Sequence, residues 1–383
     1  MHSRVSRLLP AVVLAAMLAV CGPHVQAGEP AAGEGVSAPS ERAAPPDERQ
    51  IRNAVQQGLA YLAKTQIKDG PDAGSWPAVH FRRAGASFAG LAFLANGHRP
   101  GVGEYGVVID RALRYVLKGM DANGFIGEQY ESGMYLHAIA TMFALSCLGE
   151  MDDPQRGAEV ADACRKSVAL MIKAQKVRKA PEAQGGWRYT PTSAESDVSV
   201  SACVLQTLYA ARLCGFDVPD EVFSDGLRYI NSAYMDHPQE GAGYLYRPGI
   251  SLAPDLAVSG IALYIKYLLE RQKDEPGEKT FAAIRKYPPL WSGRPYMGYF
   301  YIGAFYLMLG NFQIGDSAWD EFFGPLARML LVNQHEDGHW PLPPDSAPQN
   351  LAIGPVYSTA MGVLMLSQSR QYLPIYQRQH LSF

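Results

Sequence analysis

One stretch of the sequence, Gln184–Leu213, reads QGGWRYTPTSAESDVSVSACVLQTLYAARL. A glycine and aromatic turn, Gly185-Gly186-Trp187, leads through a short polar loop to Asp197. The residues from Val198 onward are apolar on almost every face of a helix, which is typical of a helix that protein encloses on all sides. The stretch therefore predicts one structural unit, made of a turn, a loop and a buried helix.

Looser copies of this unit recur along the whole chain. Each copy begins with an amphipathic helix, continues with a turn in which glycine precedes an aromatic residue, and ends with a helix that is mostly apolar. A fifth copy is degenerate, because Pro288-Pro289 ends its short first helix, Glu278–Lys286. The other five amphipathic helices end with Gly58–Gln66, Ala112–Met120, Ser167–Gln175, Gly226–Tyr234 and Leu326–Gln334. The apolar helices are Ser87–Ala95, Met134–Leu148, Val198–Cys214, Leu256–Leu269, Tyr296–Leu309 and Val356–Ser367.

Six helical hairpins with amphipathic first helices and apolar second helices predict two concentric layers that close into a ring. We therefore expect an all-α fold, an α/α toroid, formed by one domain over residues 47–383. The apolar helices are interrupted by small or polar residues and fall short of the roughly 20 apolar residues that a membrane span needs. We expect no transmembrane helix in the mature chain.

The N-terminal residues have the pattern of an export signal. Arg4 and Arg7 precede the apolar run Leu8–Val20, and Val25-Gln26-Ala27 fits a cleavage site, so residues 1–27 are interpreted as a signal peptide. Lipid attachment at Cys21 is the alternative. Residues 28–46, rich in Ala, Pro, Gly and Glu, are interpreted as a disordered tether. The mature protein would then be periplasmic or secreted from a bacterial cell.

Charge and cysteine content limit the partners and cross-links. A net charge of −3 without a basic stripe argues against nucleic acid as a partner. Cys203 and Cys214 are predicted on one helix, roughly 16 Å apart at 1.5 Å per residue, and cannot bridge each other. Cys147 and Cys164 could form a disulfide. Alternatively, all four are small core residues, since free cysteine is often buried.

Three pairs of glutamine and tryptophan carry a family resemblance. The spacing Leu330-x3-Gln334-x3-Gly338-x-Trp340 resembles the glutamine–tryptophan repeat of squalene-hopene and oxidosqualene cyclases, whose α/α toroid is shared by protein prenyltransferase β-subunits. The pairs Gln66 with Trp76 and Gln175 with Trp187 are looser versions. The resemblance implies a structural role for these six residues, in which they tie adjacent outer helices together.

The chemistry of that family is not preserved. The Asp-x-Asp-Asp motif of the class II terpene cyclases, whose middle aspartate donates a proton, falls on Asp197-Val198-Ser199-Val200. Because a serine hydroxyl cannot donate that proton, we expect no cyclisation by the usual route. Protein prenyltransferases bind zinc through Asp, Cys and His; here Asp197, Cys203 and His137 lack paired ligand spacing. We expect no metal and no other cofactor.

Three acids are the candidates for catalysis. Asp197-x3-Ser201 recurs as Asp255-x3-Ser259, and Glu131 occupies the analogous place before the preceding apolar helix when the hairpins are aligned on the glycines that follow these helices. Acids at helix starts commonly act as caps, which bind free backbone amides and complement the helix dipole. The alternative is that they line one rim of the central cavity as ligand contacts or as a general acid and base.

Aromatic residues in the turns and apolar helices are the other candidates. A ring would present some of them to its cavity, although most are expected to pack between layers. The candidates for ligand contact are Tyr189, Ser199, Tyr246, Tyr299 and Tyr357.

Two functions of different class remain open. The first is binding of an apolar or amphipathic ligand, such as a lipid or isoprenoid, or of a partner chain at the central cavity, without cyclase activity. The second is an enzyme of altered chemistry on isoprenoids or on glycans, which would use the carboxylates at the cavity rim.

Overall fold

The computed structural model describes residues 46–127, 133–270, 274–292, 299–370 and 372–377, except for the side chains of Asp316 and Gln349. The residues from Pro46 onward belong to one compact unit. The predicted signal peptide, the lipid attachment at Cys21, nearly all of the tether and the candidate Glu131 lie outside the described residues.

The described residues form six helical hairpins, and each pairs an outer helix with the inner helix that follows it. Two short strands and a short helix lie in the connections. The hairpins are α1 (Glu48–Thr65) with α2 (Arg82–Ala95), α3 (Gly106–Lys118) with α4 (Gly133–Cys147), α5 (Pro154–Gln175) with α6 (Val198–Leu213), α7 (Asp220–Ser232) with α8 (Leu256–Glu270), α9 (Glu275–Ile284) with α10 (Phe300–Ile314), and α11 (Asp316–Asn333) with α13 (Pro355–Ser367). The strands β1 (Tyr234–His237) and β2 (Gly241–Tyr244) precede α8, and the helix α12 (Pro348–Ile353) precedes α13.

The inner helices form a closed ring. Along the series α2, α4, α6, α8, α10 and α13, each helix contacts the next, and α13 contacts α2. The inner helices are buried on nearly all faces, whereas an outer helix such as α3 buries one stripe, formed by Ile109, Ala112, Leu113 and Val116. This difference follows from the two patterns of hydrophobicity, and the predicted α/α toroid is observed. No helix in the described residues is long and apolar enough to cross a bilayer.

The glutamines of the three pairs join neighbouring hairpins by hydrogen bonds to backbone carbonyls, whereas each tryptophan bonds to the outer helix of its own hairpin. Gln175 Nε2 donates to Gly185 O at 2.8 Å, within its own turn, and to Val222 O at 2.9 Å on the next outer helix. Trp187 Nε1 donates to Met171 O at 2.7 Å. The other two glutamines make the same pair of bonds: Gln66 donates to Gly74 O and Val108 O, and Gln334 donates to Gly338 O and Ala54 O. The other two tryptophans do likewise: Trp76 donates to Leu62 O, and Trp340 donates to Leu330 O.

The bond from Gln334 to Ala54 closes the outer layer, because it joins α11 to α1 across 280 residues of sequence. Glycine is required in these turns for two reasons. Gly185 has a φ of +87°, and a Cβ added to it would lie 2.3 Å from the carbonyl oxygen of Asp225 on α7. A Cβ added to Gly338 would likewise lie 2.3 Å from the carbonyl oxygen of Gln57 on α1. The backbone of each turn therefore packs directly against the next outer helix.

The fourth hairpin differs from the sequence prediction. A simple turn was expected after the outer helix, but β1 and β2 pair antiparallel there, with Tyr234 opposite Tyr244 and His237 opposite Gly241. Gly241 has a φ of +84°, which lets the chain reverse at that point. The connection between α7 and α8 is long enough to form a two-stranded hairpin instead of a single turn.

Candidate functional site at the upper face

The centre of the ring is filled by the chain itself. The segment Leu373–Gln377 contains a 3-10 turn, Pro374–Tyr376, which contacts α6. Tyr264 Oη donates to Ile375 O at 2.7 Å, and Gln368 Nε2 donates to Tyr376 O at 2.7 Å. The Tyr376 ring packs against Phe305, with centroids 5.5 Å apart, and is 4% exposed. A ligand bound deep between these helices would have to displace this segment.

Polar side chains of three inner helices surround the segment Leu373–Gln377. Gln206 Nε2 donates to Tyr264 Oη at 3.4 Å, and Tyr306 Oη donates to Gln206 Oε1 at 3.4 Å. Burial raises the pKa of both tyrosines well above the usual value for tyrosine, so both hydroxyls stay neutral. The middle of the ring is thus a hydrogen-bonded core in which side chains from α6, α8 and α10 meet.

The end of the ring at which the inner helices begin is called the upper face here. Each outer helix runs antiparallel to the inner helix that follows it, so the loops that lead into the inner helices lie at this end. Met134 N donates to Tyr189 O at 2.8 Å, and Val198 N donates to Tyr246 O at 3.0 Å. Each loop therefore crosses the start of the preceding inner helix, and side chains of neighbouring hairpins meet there.

Asp197 caps α6 and is completely buried. Its Oδ1 accepts a hydrogen bond from Val200 N at 2.8 Å, and the hydroxyl of Tyr246 approaches the carboxylate and lowers its pKa. Burial raises the pKa of Asp197 to about 6, and the Val200 amide and the Arg188 guanidinium oppose that change. Asp255 caps α8 in the same way, with Val258 N donating to its Oδ1 at 2.9 Å. Both acids therefore have the capping role that the sequence left open.

Hydrogen bonds that recur in three hairpins show which residue before α4 corresponds to Asp197 and Asp255. Trp187 N donates to Ser201 Oγ, Tyr244 N to Ser259 Oγ, and Ile126 N to His137 Nδ1. His137 thus takes the place of the serine that lies four residues after each capping aspartate. Gly133, four residues before His137, therefore occupies the position equivalent to Asp197. The alignment that gave this position to Glu131 was wrong, because it was anchored on glycines at the far ends of the helices.

His137 is part of the packing of this repeat. Its Nδ1 accepts from Ile126 N at 3.0 Å, which leaves Nε2 to donate to Ser167 O at 3.4 Å. Burial lowers the pKa of His137 to about 4, so the ring is neutral at neutral pH. Both ring nitrogens are thereby used in hydrogen bonds. The described residues contain no group of three His, Cys, Asp or Glu side chains that could hold a metal ion.

Tyr189 and Tyr246 meet at the upper face. Their hydroxyl oxygens lie 2.6 Å apart, and the Arg188 guanidinium lies 4.7 Å from the centroid of the Tyr189 ring and 5.9 Å from that of Tyr246. Glu195 accepts from Arg188 Nε at 3.2 Å and from Arg247 at 2.9 Å. These five residues are called the upper-face cluster.

The sequence prediction found only the two tyrosines of this cluster. Arg188 and Glu195 flank a loop that looked merely polar, and Arg247 follows Tyr246 directly. The available signal was position, since Arg188 directly follows Trp187 of the turn, just as Arg247 follows Tyr246. Arg188 Nη1 is buried and has no hydrogen-bond partner among the described residues.

The remaining candidates form a second group or stand alone. Tyr357 is buried, with its ring centroid 5.3 Å from that of Phe88 and 6.0 Å from that of Tyr301. Tyr299, the residue before α10, is half-buried. Ser199 is half-buried in the first turn of α6. Tyr357 thus mainly packs, whereas Tyr299 and Ser199 are partly accessible.

Exposed apolar side chains lie on the loops that lead into the inner helices. Val79 precedes α2, Ile250 and Leu252 precede α8, and Leu351 precedes α13. These four side chains are between 56% and 75% exposed. Val79 N donates to Ala352 O at 2.9 Å, so the loop before α2 lies against α12. The upper face therefore combines apolar groups with the charged and aromatic cluster.

Comparison with known proteins shows the fold. No family model and no curated protein matches the sequence. Solved structures that are similar along most of their length include the following three. The type II terpene cyclase MstE from Scytonema is 16% identical with a TM-score of 0.52, covering 85% of this chain and 99% of that one. The α-1,6-mannanase GH76A from Salegentibacter sp. HEL1_6 is 12% identical with a TM-score of 0.56, covering 83% and 99%.

The cellobiose 2-epimerase from Spirochaeta thermophila is 14% identical with a TM-score of 0.56, covering 84% of this chain and 96% of that one. The protein is thus an α/α toroid of the kind found in terpene cyclases and in glycan-processing enzymes. The predicted α/α toroid is confirmed, and a terpene cyclase is among the proteins that share this fold. Identities this low concern the fold alone, because the same toroid is used for several chemistries.

Proposed function

We propose that this protein binds an amphipathic molecule, such as an isoprenoid or another lipid, at the upper face without cyclising it. The observation that carries the proposal is the position of Tyr376. Because the protein's own C-terminal segment fills the middle of the ring, the accessible groups are those of the upper face. Exposed apolar side chains there would cover the hydrocarbon part of the ligand, with a gain of about 25 cal/mol for each Å² of apolar surface buried.

The polar end of the ligand would meet the upper-face cluster. Tyr189 is half-buried and offers a hydroxyl and a ring, while Arg188 and Arg247 share a single carboxylate, that of Glu195. These groups are positioned before binding by mutual contacts, which reduces the entropy lost when a ligand orders them.

Two observations argue against cyclisation. The position of the proton donor is Ser199, whose hydroxyl is far too weak an acid to protonate an alkene. The neighbouring acid, Asp197, is completely buried and is used as a helix cap. An acid that initiates cyclisation has to reach its substrate in the cavity.

A second candidate is an enzyme that acts on glycans, and the raised pKa of Asp197 favours it. A carboxyl group with a pKa of about 6 keeps part of its protons near neutral pH, as a general acid of a glycosidase does. Similar toroids include an α-1,6-mannanase and a cellobiose 2-epimerase. For this function, Asp197 would have to become accessible, and a second carboxylate would have to lie across the substrate.

The experiment is a binding titration with a fluorescent farnesol analogue. The double variant Ile250→Asp/Leu252→Asp changes the apolar part of the upper face, and Val332→Asp changes an exposed apolar side chain near the end of an outer helix. We expect the double variant to bind at least tenfold more weakly and the control to bind normally. Equal binding by all three proteins would refute the proposal.

Mass spectrometry of co-purifying molecules separates the two candidates. An isoprenoid or lipid released unchanged supports binding. Release of sugars from α-1,6-mannan or epimerisation of cellobiose, with loss of this activity in Asp197→Asn, would establish the second candidate instead.

We also propose export, on the basis of residues 1–27. N-terminal sequencing of the mature protein would distinguish cleavage after Ala27 from a lipid-modified N-terminus at Cys21. A protein that retained Met1 in its native host would contradict both.

A further inference from the structure

The carboxylate of Glu195 bridges the two arginines of the upper-face cluster. Its Oε2 accepts from Arg188 Nε at 3.2 Å, and its Oε1 accepts from an Arg247 terminal nitrogen at 2.9 Å. The two guanidinium groups are therefore spaced to hold one carboxylate, with one oxygen for each. The arginine side chains are 16% and 20% exposed, whereas the Glu195 side chain is 54% exposed. The cations are thus largely enclosed by protein, and the carboxylate lies at the boundary with solvent.

The two arginines have contacts that do not depend on Glu195. The Arg188 guanidinium packs over the rings of Tyr189 and Tyr246. The backbone of Arg247 is held in a turn, where its N–H donates to Ser251 Oγ at 3.1 Å. Glu195, in contrast, lies in the loop before α6, outside any helix or strand. Because an ion pair with this much exposure is a weak contact, the Glu195 side chain can leave while the arginines stay in place.

The turn that holds Arg247 also carries apolar side chains. Ile250 N donates to Arg247 O at 3.3 Å, and Ser251 N donates to the same oxygen at 3.0 Å. The side chains of Ile250 and Leu252 are 60% and 75% exposed. One short turn therefore combines a guanidinium group with two exposed apolar side chains. A molecule with an anionic head and a hydrocarbon chain has the matching pair of groups.

We infer that the ligand of the upper face is a long-chain carboxylic acid, whose carboxylate takes the place of the Glu195 carboxylate between Arg188 and Arg247. The inference rests on the binding function proposed above and adds the chemistry of the head group. Guanidinium groups match a carboxylate in both charge and hydrogen-bond geometry. The displaced Glu195 side chain moves into solvent, and Ile250 and Leu252 cover the start of the hydrocarbon chain.

The charges around the site favour a monoanion over a phosphate group. Asp197 lies beneath the cluster, since its N–H donates at 2.9 Å to the carbonyl oxygen of Trp187, the residue before Arg188. The two arginines thus face two protein carboxyl groups, those of Glu195 and Asp197. Exchange of one carboxylate for another leaves the net charge of the site unchanged. A doubly charged phosphate would add a negative charge close to a carboxyl group that is completely buried.

The test compares two probes that differ only in the head group, cis-parinaric acid and its methyl ester. Fluorescence titrations of the mature protein at pH 7.5 measure both affinities, at probe concentrations below those at which either aggregates. We expect the acid to bind about tenfold more tightly than the ester, because only the acid makes charged hydrogen bonds to both arginines.

Three variants identify the groups that recognise the acid. Arg247→Gln should weaken binding of the acid about tenfold and leave binding of the ester unchanged. Arg228→Gln, which removes an arginine that is 74% exposed on an outer helix, should change neither. Glu195→Gln should strengthen binding of the acid by roughly threefold, because it removes the carboxylate that competes for the arginines. A structural role of Glu195 alone predicts no such gain.

The possible outcomes separate this inference from the proposed function. Equal affinity for acid and ester, or weaker binding of the acid by Glu195→Gln, would overturn the inference. If the ester still binds and the Ile250→Asp/Leu252→Asp variant loses it, the proposed function stands without the carboxylate site. Failure of both probes to bind would refute both.

Discussion

The hydroxyl oxygens of Tyr189 and Tyr246 lie 2.6 Å apart, although 57 positions separate the two residues in the sequence. Each tyrosine follows a turn aromatic by two positions, Trp187 in one hairpin and Tyr244 in the next. Equivalent positions of successive hairpins are therefore neighbours around the ring. A residue in one hairpin therefore often has a matched counterpart in another hairpin.

Loss of the Gln175 side-chain amide should destabilise the fold. In Gln175→Leu, the carbonyl groups of Gly185 and Val222 lose a donor in a buried place, which costs about 1–3 kcal/mol. Gln56→Leu, on the exposed side of α1, should change stability by less than about 0.5 kcal/mol. Urea unfolding followed by circular dichroism measures both. Equal stabilities would show that the bonds to the next outer helix are dispensable.

Replacement of Gly185 should cost more than replacement of a glycine with the same backbone conformation in open space. Gly185→Ala combines a φ of +87° with a Cβ 2.3 Å from a backbone oxygen, whereas Gly215→Ala has a φ of +84° and nothing within 4 Å of the Cβ. We expect Gly215→Ala to lose about 1 kcal/mol and Gly185→Ala considerably more, with poor yield of folded protein. Thermal unfolding of both variants compares them. Similar losses would mean that the turn can move away from α7.

Asp197→Asn should become relatively more stable as the pH rises. Burial raises the pKa of Asp197 to about 6 from an ordinary value of 3.8, so the folded protein binds this proton more tightly than the unfolded chain does. Ionisation therefore destabilises the fold, and the loss develops between about pH 4 and pH 6 and persists above that range. The neutral amide avoids it and still caps α6. The advantage of Asn at pH 7.5 over pH 4 should be on the order of 2–3 kcal/mol.

Urea unfolding at the two pH values provides the measurement for Asp197. The control is Asp153→Asn, which makes the same substitution at the exposed cap of α5. A difference between Asp197→Asn and the unsubstituted protein that stays constant over this range would argue against a buried, titrating carboxyl group.

Truncation of Tyr376 should open a cavity in the centre of the ring. Tyr376→Ala removes a buried ring that packs on Phe305, which costs about 3–5 kcal/mol for an aromatic residue. Addition of p-cresol, which reproduces the lost group, should restore part of the melting temperature. Tyr372→Ala, four residues earlier and 69% exposed, should show neither effect. A Tyr376→Ala protein as stable as the original would mean that the segment does not fill the centre.

The sequence by itself determined the architecture of this protein. Hydrophobic periodicity distinguishes outer from inner helices. Each turn of an outer helix has apolar residues on one side, whereas each turn of an inner helix is apolar on nearly all sides. The start of α6 at Val198 and the role of three glutamines in tying adjacent outer helices together were predicted correctly, whereas the tryptophans bond within their own hairpins. The two strands before α8 were missed because their residues also fit a glycine and aromatic turn.

Only the tertiary structure decided what the candidate residues contact. Closure of the ring brings Arg188, Glu195 and Arg247 together, places the C-terminal segment among α6, α8 and α10, and gives Gly133 the position that had been assigned to Glu131. Local patterns predict which face of a helix is buried, since periodicity is a property of a single element. They do not predict which distant side chain covers it, because that depends on how hairpins from different parts of the chain pack around the ring.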